Sequence, residues 1–486
     1  MRRRGWALVV IAMLLAHSGG AAQSRSRPSA AAEKAYQEGL ARQQRQEDTE
    51  AIAAFREALR ESPDFAAAQS GLGYSLGRQN DLAGAIAAFE TAARLLPTLH
   101  EAHFRLGVTH WLRKAYREAI GPLQTAVRLQ PRHLESRFYL GQCWKELGER
   151  QKAIAELREA ARLGPQVAEV QRVLGLALAA EESFEEAAGA LRKAIQLRPD
   201  LLEARNQLGL VLLQQRKADA AIAELEQARQ LAPQDLATLH NLGLALMQKA
   251  DYRAAIARYE ELLRLSPEDA EAWYNLGLAH KYQDDFTAAV KAFRQSIALQ
   301  ATLPEAHYSL GVTLLQQSQL EEAAKAFRGA IAARPDYADA FYLLGTTLQQ
   351  QGALGEAVGF LREAIRLSPQ SPQYFNTLGN TLRQQGDLAA ARTAFAEATR
   401  LNQRRTDLQA ALFATNLGVQ RLQEGRLGEA VEQLTRATQL DPENRRAHYH
   451  LGQALQRQGK RTAAAASFKR ARQLEEAEKG PLPPSP

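Results

Sequence analysis

A glycine returns every 34 residues along most of this chain, from Gly39, Gly73, Gly107, Gly141 and Gly175 through Gly209, Gly243, Gly277, Gly311, Gly345 and Gly379. After one break it returns at Gly418 and Gly452. Twelve residues beyond each glycine stands an alanine, from Ala51 and Ala85 through Ala289 to Ala430 and Ala464. Four residues further on comes an aromatic or leucine, such as Phe55, Leu157, Phe293, Phe327 or Phe468. Prolines close most units, among them Pro63, Pro97, Pro131, Pro199, Pro267, Pro335 and Pro442. A strict period of this length argues against a single globular core. Such a chain grows by adding copies, each burying the face of its neighbour.

One unit shows the pattern in full. Residues 270–303 read as two short amphipathic helices joined by a tight turn. Trp273, Leu276 and Gly277 lie in the first, Ala289 and Phe293 in the second. Alanine, leucine, glutamine, glutamate and arginine dominate, all good helix formers, so the class is all-α. The glycine and the alanine mark where the two helices of a unit cross closest, and a larger side chain there would push them apart. The leucine before the glycine and the large residue of the second helix fill the space beside that contact. Proline ends each unit at the same length because it cannot continue a helix. Asn80, Gly148, Gly352, Gly386, Gly425 and Gly459 suit the left-handed turn between the helices.

This skeleton resembles the tetratricopeptide repeat family, with its W-x-x-L-G-x-x-Y, A-x-x-x-F and closing proline at a 34-residue period. Eleven units fit residues 32–405 and two fit 411–478, separated by an insertion at 406–410. The resemblance implies an α-solenoid, a right-handed superhelix of helix–turn–helix repeats. Unit eight ends on Ala301 instead of proline, and the insertion is expected to lengthen a helix and change the local pitch.

Outside the repeats, residues 1–22 read as a secretory signal peptide. Arg2, Arg3 and Arg4 precede an apolar stretch at 6–16, and Gly20, Ala21 and Ala22 offer a cleavage site. An uncleaved anchor is the alternative, and no cysteine follows to carry a lipid. Residues 23–31 form a linker and 479–486 a proline-rich tail. The mature chain is expected to be exported, to the periplasm or beyond, with no membrane span. The formal net charge is +7, or about +4 without the three leading arginines. Acids and bases alternate along every repeat, which reads as a solvated, salt-bridged surface and not as a nucleic-acid patch.

Catalytic signatures do not emerge, so no enzyme activity, cofactor or metal is expected. The one cysteine, Cys143, stands where other units have Ala177, Ala245 and Ala279, so it reads as a buried, inert thiol. His100 and His103 lack the spacing of a helical zinc site, with His110 a conceivable third ligand.

The resemblance implies that the first helices line a concave groove, and three positions along them vary while the skeleton repeats. The one after the Trp273 slot carries His240, Tyr274, Tyr308 and Tyr342; the one after the glycine carries Leu210, Leu244, Leu278 and Val312. The third, a turn on, carries Leu213, Met247 and Leu315. Together they would form an apolar, tyrosine-edged stripe for a partner; the alternative is that these residues merely pack the array. The family's carboxylate clamp is not expected, because Glu101, Glu203, Glu305 and Asp339 occupy its lysine position. The chain is also similar in repeat number and regularity to the array of O-linked N-acetylglucosamine transferase, without a catalytic domain. Only Asn241, Asn275 and Asn416 match that array's asparagine ladder. The expected role is a protein-interaction scaffold that binds a partner segment in its groove or associates with itself. An assembly subunit of an envelope secretion machine, or the accessory array of a separate glycosyltransferase, are the alternatives.

Overall fold

A computed structural model describes residues 27–479; the leader read at 1–22 and the tail beyond Lys479 lie outside them. Among the described residues there are twenty-five helices and no strand. Contacts divide the chain into two units, 1–267 and 268–486. Each is an α-solenoid of repeats, a leading helix followed by a closing helix.

The first unit runs from Ala30–Gln44 and Asp48–Glu61 to Leu236–Gln248 and Tyr252–Leu265. The second opens with Ala270–Tyr282 and Phe286–Leu299 and ends with Arg445–Arg457 and Arg461–Lys479. Several closing helices start on an aspartate whose carboxylate accepts the N–H three residues on: Asp81 from Gly84, Asp251 from Ala254, Asp285 from Ala288 and Asp387 from Ala390. Each such bond satisfies one of the backbone donors left open at a helix start.

The repeat glycine makes the contact that the spacing predicts. A Cβ placed on Gly277 would lie 2.6 Å from the Phe293 ring, and one on Gly311 would lie 2.6 Å from the Phe327 ring. The same holds at Gly243 against Tyr259 and at Gly175 against Leu191. The large residue therefore sits on bare backbone, and Phe293, Phe327, Tyr259 and Leu191 have no exposed surface.

Between the helices the chain passes through one left-handed residue. Gly148, Gly352, Gly386, Gly425, Gly459 and Asn80 hold that place as expected, but so do Gln46, Lys114, Glu182, Arg216, Ala250, Asp284 and Ser318, with φ near +60°. The packing of the two helices imposes this conformation whichever residue is present.

A second joint links consecutive repeats. The side chain four residues before the glycine bonds a carbonyl six residues back, at the end of the preceding unit. His103 reaches Pro97 O at 3.0 Å, Arg137 reaches Pro131 O at 2.8 Å, and His448 reaches Pro442 O at 3.1 Å. His307 makes the same bond to Ala301 O at 3.0 Å, so the unit that lacks its proline keeps the joint.

One departure is large. Residues 388–423 form a single 36-residue helix, Leu388–Gln423, which joins the closing helix of repeat eleven to the leading helix of repeat twelve through the insertion.

Between repeats three and four, the His100 and His133 rings meet edge to face at 4.4 Å, and both approach Ser136 Oγ, at 3.2 and 2.8 Å. Burial and the neighbouring His133 push His100 down to about 4, and burial lowers His133 as well. Both imidazoles are neutral in the fold, so acid favours the unfolded chain, where a histidine titrates near 6.5.

Three outcomes follow from this packing. Gly311→Val should destabilise the second unit by about 1–3 kcal/mol through overpacking against Phe327, read as a lower urea midpoint. Ala250→Gly should stabilise the first unit by about 1 kcal/mol by relieving a left-handed alanine, read as a higher thermal midpoint. Stability should be complete above the unfolded histidine's range and fall as the pH drops from 6.5 towards 4; His100→Gln should flatten that slope in unfolding titrations.

Candidate partner-binding face

Leading helices place the predicted face, and the structure sorts its residues into three groups. In the second unit Tyr274, Leu278, Tyr308, Val312 and Leu315 are half-buried, standing on a core that contains Phe293, Leu310, Phe327 and Leu344. Tyr342 stands in the same way on the core around Val358 and Leu361. In the first unit Leu210, Leu244, Met247 and His240 are half-buried. Leu210 also lines an open depression of about 330 Å³, shared with Ala179, Phe184, Gln207 and Gln214.

The third group does not present itself to a ligand. Asn241 and Asn275 are 9% and 8% exposed, and Leu213 is 9% exposed. Leading helices pack on one another here, Leu202–Gln214 on Leu236–Gln248 and Ala270–Tyr282 on Pro304–Gln316. The two asparagines therefore form no open ladder. Asn416 is exposed, but on the long helix.

Each tyrosine of the face has one side committed to packing. Tyr274 lies 6.0 Å from Phe293 and Tyr308 lies 6.0 Å from Phe327, so the tyrosine rests on the ring that rests on the glycine. His240 lies 6.3 Å from Tyr259 in the same arrangement. Two further rings, unmarked in the sequence reading, complete the row. Tyr337 stacks on Tyr308 at 5.0 Å and Tyr374 on Tyr342 at 4.7 Å. A 29-residue spacing was the available signal for the first, since Tyr36 and Phe65, and Phe104 and His133, pair at that separation, 4.8 and 4.9 Å apart. In repeat eleven Ser371 holds the spaced position, and Tyr374 covers Tyr342 from three residues further on.

Burial holds several of these hydroxyls protonated at neutral pH, Tyr274, Tyr308 and Tyr337 among them. Burial raises Tyr274, burial and Asp339 raise Tyr308, and burial with Tyr308 pushes Tyr337 up to about 12. Tyr374 donates to Asp339 Oδ1 at 2.5 Å, and Thr377 donates to the Tyr342 oxygen at 3.4 Å. The acids of the first turns are likewise engaged: Glu305 with Arg334, Glu101 with Arg105, and Glu169 with Arg172 at 2.5 Å. The face thus offers ring edges, aliphatic surface and phenolic donors, with Glu305 paired to Arg334 and Asp339 accepting from Tyr374. A ligand suited to it is an apolar side-chain row with backbone acceptors.

The histidines considered as metal ligands lie apart in their bonding, His103 on Pro97 O and His100 on Ser136. Among the described residues no group of three or more His, Cys, Asp or Glu is placed to hold a metal ion. Cys143 is fully buried, and burial with Glu146 pushes its thiol up to about 12. No described helix is long and apolar enough to cross a membrane.

Matches to known protein-family models agree with this architecture. A family model described as "Tetratricopeptide repeat" matches residues 36–100, 145–201, 172–235, 240–304, 276–338, 308–372 and 376–432. A "TPR repeat" model matches 418–459 and another tetratricopeptide model 446–478. A model described as "Anaphase-promoting complex, cyclosome, subunit 3" matches 78–160. No curated protein matches the chain. Among solved structures, MamA 41-end from Desulfovibrio magneticus RS-1 is 24% identical, covering 34% of this chain and 94% of its own, with a TM-score of 0.33. YrrB, described as a TPR protein with an unusual peptide-binding site, is 20% identical over 38% of this chain and 95% of its own, with a TM-score of 0.35. Yeast Tom70 is 16% identical over 76% of this chain and 92% of its own, with a TM-score of 0.35. With family matches over more than half its length and the glycine–alanine skeleton in every unit, this chain belongs to the tetratricopeptide repeat family.

Proposed function

We propose that this protein is an exported scaffold that binds an extended or helical segment of another protein across its leading helices, and that it carries out no chemistry itself. The observation that carries the reading is the row Tyr274, Leu278, Tyr308, Val312 and Tyr342 in the second unit. These are large side chains, half-buried and fixed from beneath by the core, with one edge open. Anchors of that kind lose little conformational freedom on binding, and tyrosine is favoured where a ring must meet both apolar and polar groups. Pairing of Glu305 with Arg334 beside the row supports an apolar segment over a basic one. Export rests on the basic and apolar leader at 1–22.

Affinity capture from an envelope extract tests the binding site. A bait from Gln23 onward should retain a partner that is lost when Tyr274, Tyr308 and Tyr342 are all changed to Glu, with circular dichroism confirming the variant is folded. Equal capture by both baits would move the site off this row. For export, the full-length chain should yield a mature form beginning near Gln23 in the exported fraction; an uncleaved cytoplasmic chain would remove that part of the reading.

A further inference from the structure

One position of the leading helix reports whether another repeat is stacked ahead of it. Five residues before the repeat glycine, Ala68, Ala102, Ala306, Ala340 and Tyr374 are 2% exposed or less. Repeat one has no described repeat ahead of it, and its residue there, Lys34, is exposed. Repeat twelve carries Phe413, which is 70% exposed. Two residues after the glycine the pattern repeats: Ser75 and Thr313 have no exposed surface, whereas Ala41 of repeat one and Gln420 of repeat twelve are exposed. In its contacts repeat twelve is the start of an array.

Closing helices show the converse. Sixteen residues after the glycine, Phe327, Leu361 and Leu434 are fully buried, while Phe395 of repeat eleven and Phe468 of the last repeat are only half-buried. In its contacts repeat eleven is the end of an array.

The cause is the unbroken helix Leu388–Gln423. Elsewhere in the unit a turn reverses the chain, so the next leading helix packs back on the closing helix. Here residues 402–410 continue the helix, and Phe395 and Phe413 stand about 27 Å apart along its axis. Arg404 holds repeat twelve in this position, bonding Asp441 Oδ1 at 3.1 Å and Leu440 O at 3.3 Å at the end of its closing helix. The apolar clusters described for this unit reach Ala394 on one side and resume at Ala414 and Leu422 on the other.

The chain therefore displays both halves of its own inter-repeat interface, on one rod and too far apart to meet. The leading half is apolar, with Leu408 40%, Leu412 57% and Phe413 70% exposed. The far side of the last described repeat instead carries exposed Arg461, Lys469 and Arg472.

We propose that a second copy of this chain covers both faces, in a reciprocal dimer built on the 388–423 helix. A two-fold axis passing beside that helix near Thr406, perpendicular to it, lays two copies of it side by side and antiparallel. That is the relative direction of a closing helix and the next leading helix within the array. Repeat eleven of each copy then receives repeat twelve of the other, and one symmetric interface satisfies all four faces. A second copy is the matching occupant because the uncovered surfaces are complementary halves of a contact this sequence already makes. A large ring at the Phe413 position has a precedent in Tyr374, which is 2% exposed and stacked on Tyr342.

Sedimentation velocity on the chain from Gln23, which keeps every described residue, tests this. The wild type should sediment as a dimer, and Phe413→Lys, which copies repeat one, should sediment as a monomer of unchanged helicity. Phe413 is mostly exposed in the single chain, so this change leaves its fold intact. Nitroxides at Thr406→Cys, beside the axis, should give one short distance between copies that disappears when Phe413→Lys is added; Cys143 is buried and stays unlabelled. A wild type that is monomeric at every concentration overturns the proposal and leaves the face to a different chain. So does a dimer that Phe413→Lys leaves intact, or one whose labels at position 406 lie far apart.

Discussion

The contact between a repeat glycine and the large side chain sixteen residues later is the one on which the rest depends. With no Cβ at Gly311, the Phe327 ring occupies the space a side chain there would take, and the two helices approach closely. That distance sets the alanine at the facing position and the left-handed turn residue between the helices. Seven of these turn residues are neither glycine nor asparagine, which indicates that packing outweighs a local backbone cost of about 1–2 kcal/mol each.

The candidate face grows from the same contact. Tyr308 rests on Phe327, Phe327 rests on Gly311, and Tyr337 closes over Tyr308 from the start of the next leading helix. A surface tyrosine supported in this way is both part of the packing and available at one edge. The two readings of these residues, partner site and repeat consensus, describe two sides of one ring.

Polar groups in this fold serve mainly to join one unit to the next. Imidazoles and guanidiniums four residues before the glycine bond carbonyls of the preceding turn, and Arg172 bridges Glu169 and Glu203 on successive leading helices. Exposed pairs within a helix, such as Arg162 with Glu159, are screened by solvent and add little to stability. The alternating charges therefore serve solubility and register.

The helical class, the repeat unit and the crossing point could be read from the chain because a 34-residue period places each small residue opposite a large one, a one-dimensional pattern. The place of Cys143 followed from the same register, since the buried positions two residues after the glycine hold Ala, Ser, Thr or Val in other repeats. The loss of Asn241, Asn275 and Leu213 from the face could not be read in that way. Whether a leading-helix side chain points to solvent or to the neighbouring helix depends on the angle between repeats, which no single unit encodes. Tyr374 taking over the cover of Tyr342 where Ser371 is too small is likewise a matter of three-dimensional reach. The five-residue insertion at 406–410 was visible as a slip in register, and a lengthened helix was expected from it, but its effect on the packing of repeats eleven and twelve was not. Only folding shows that those residues carry the helix through without a turn, so that two faces buried in other repeats are left open on either side.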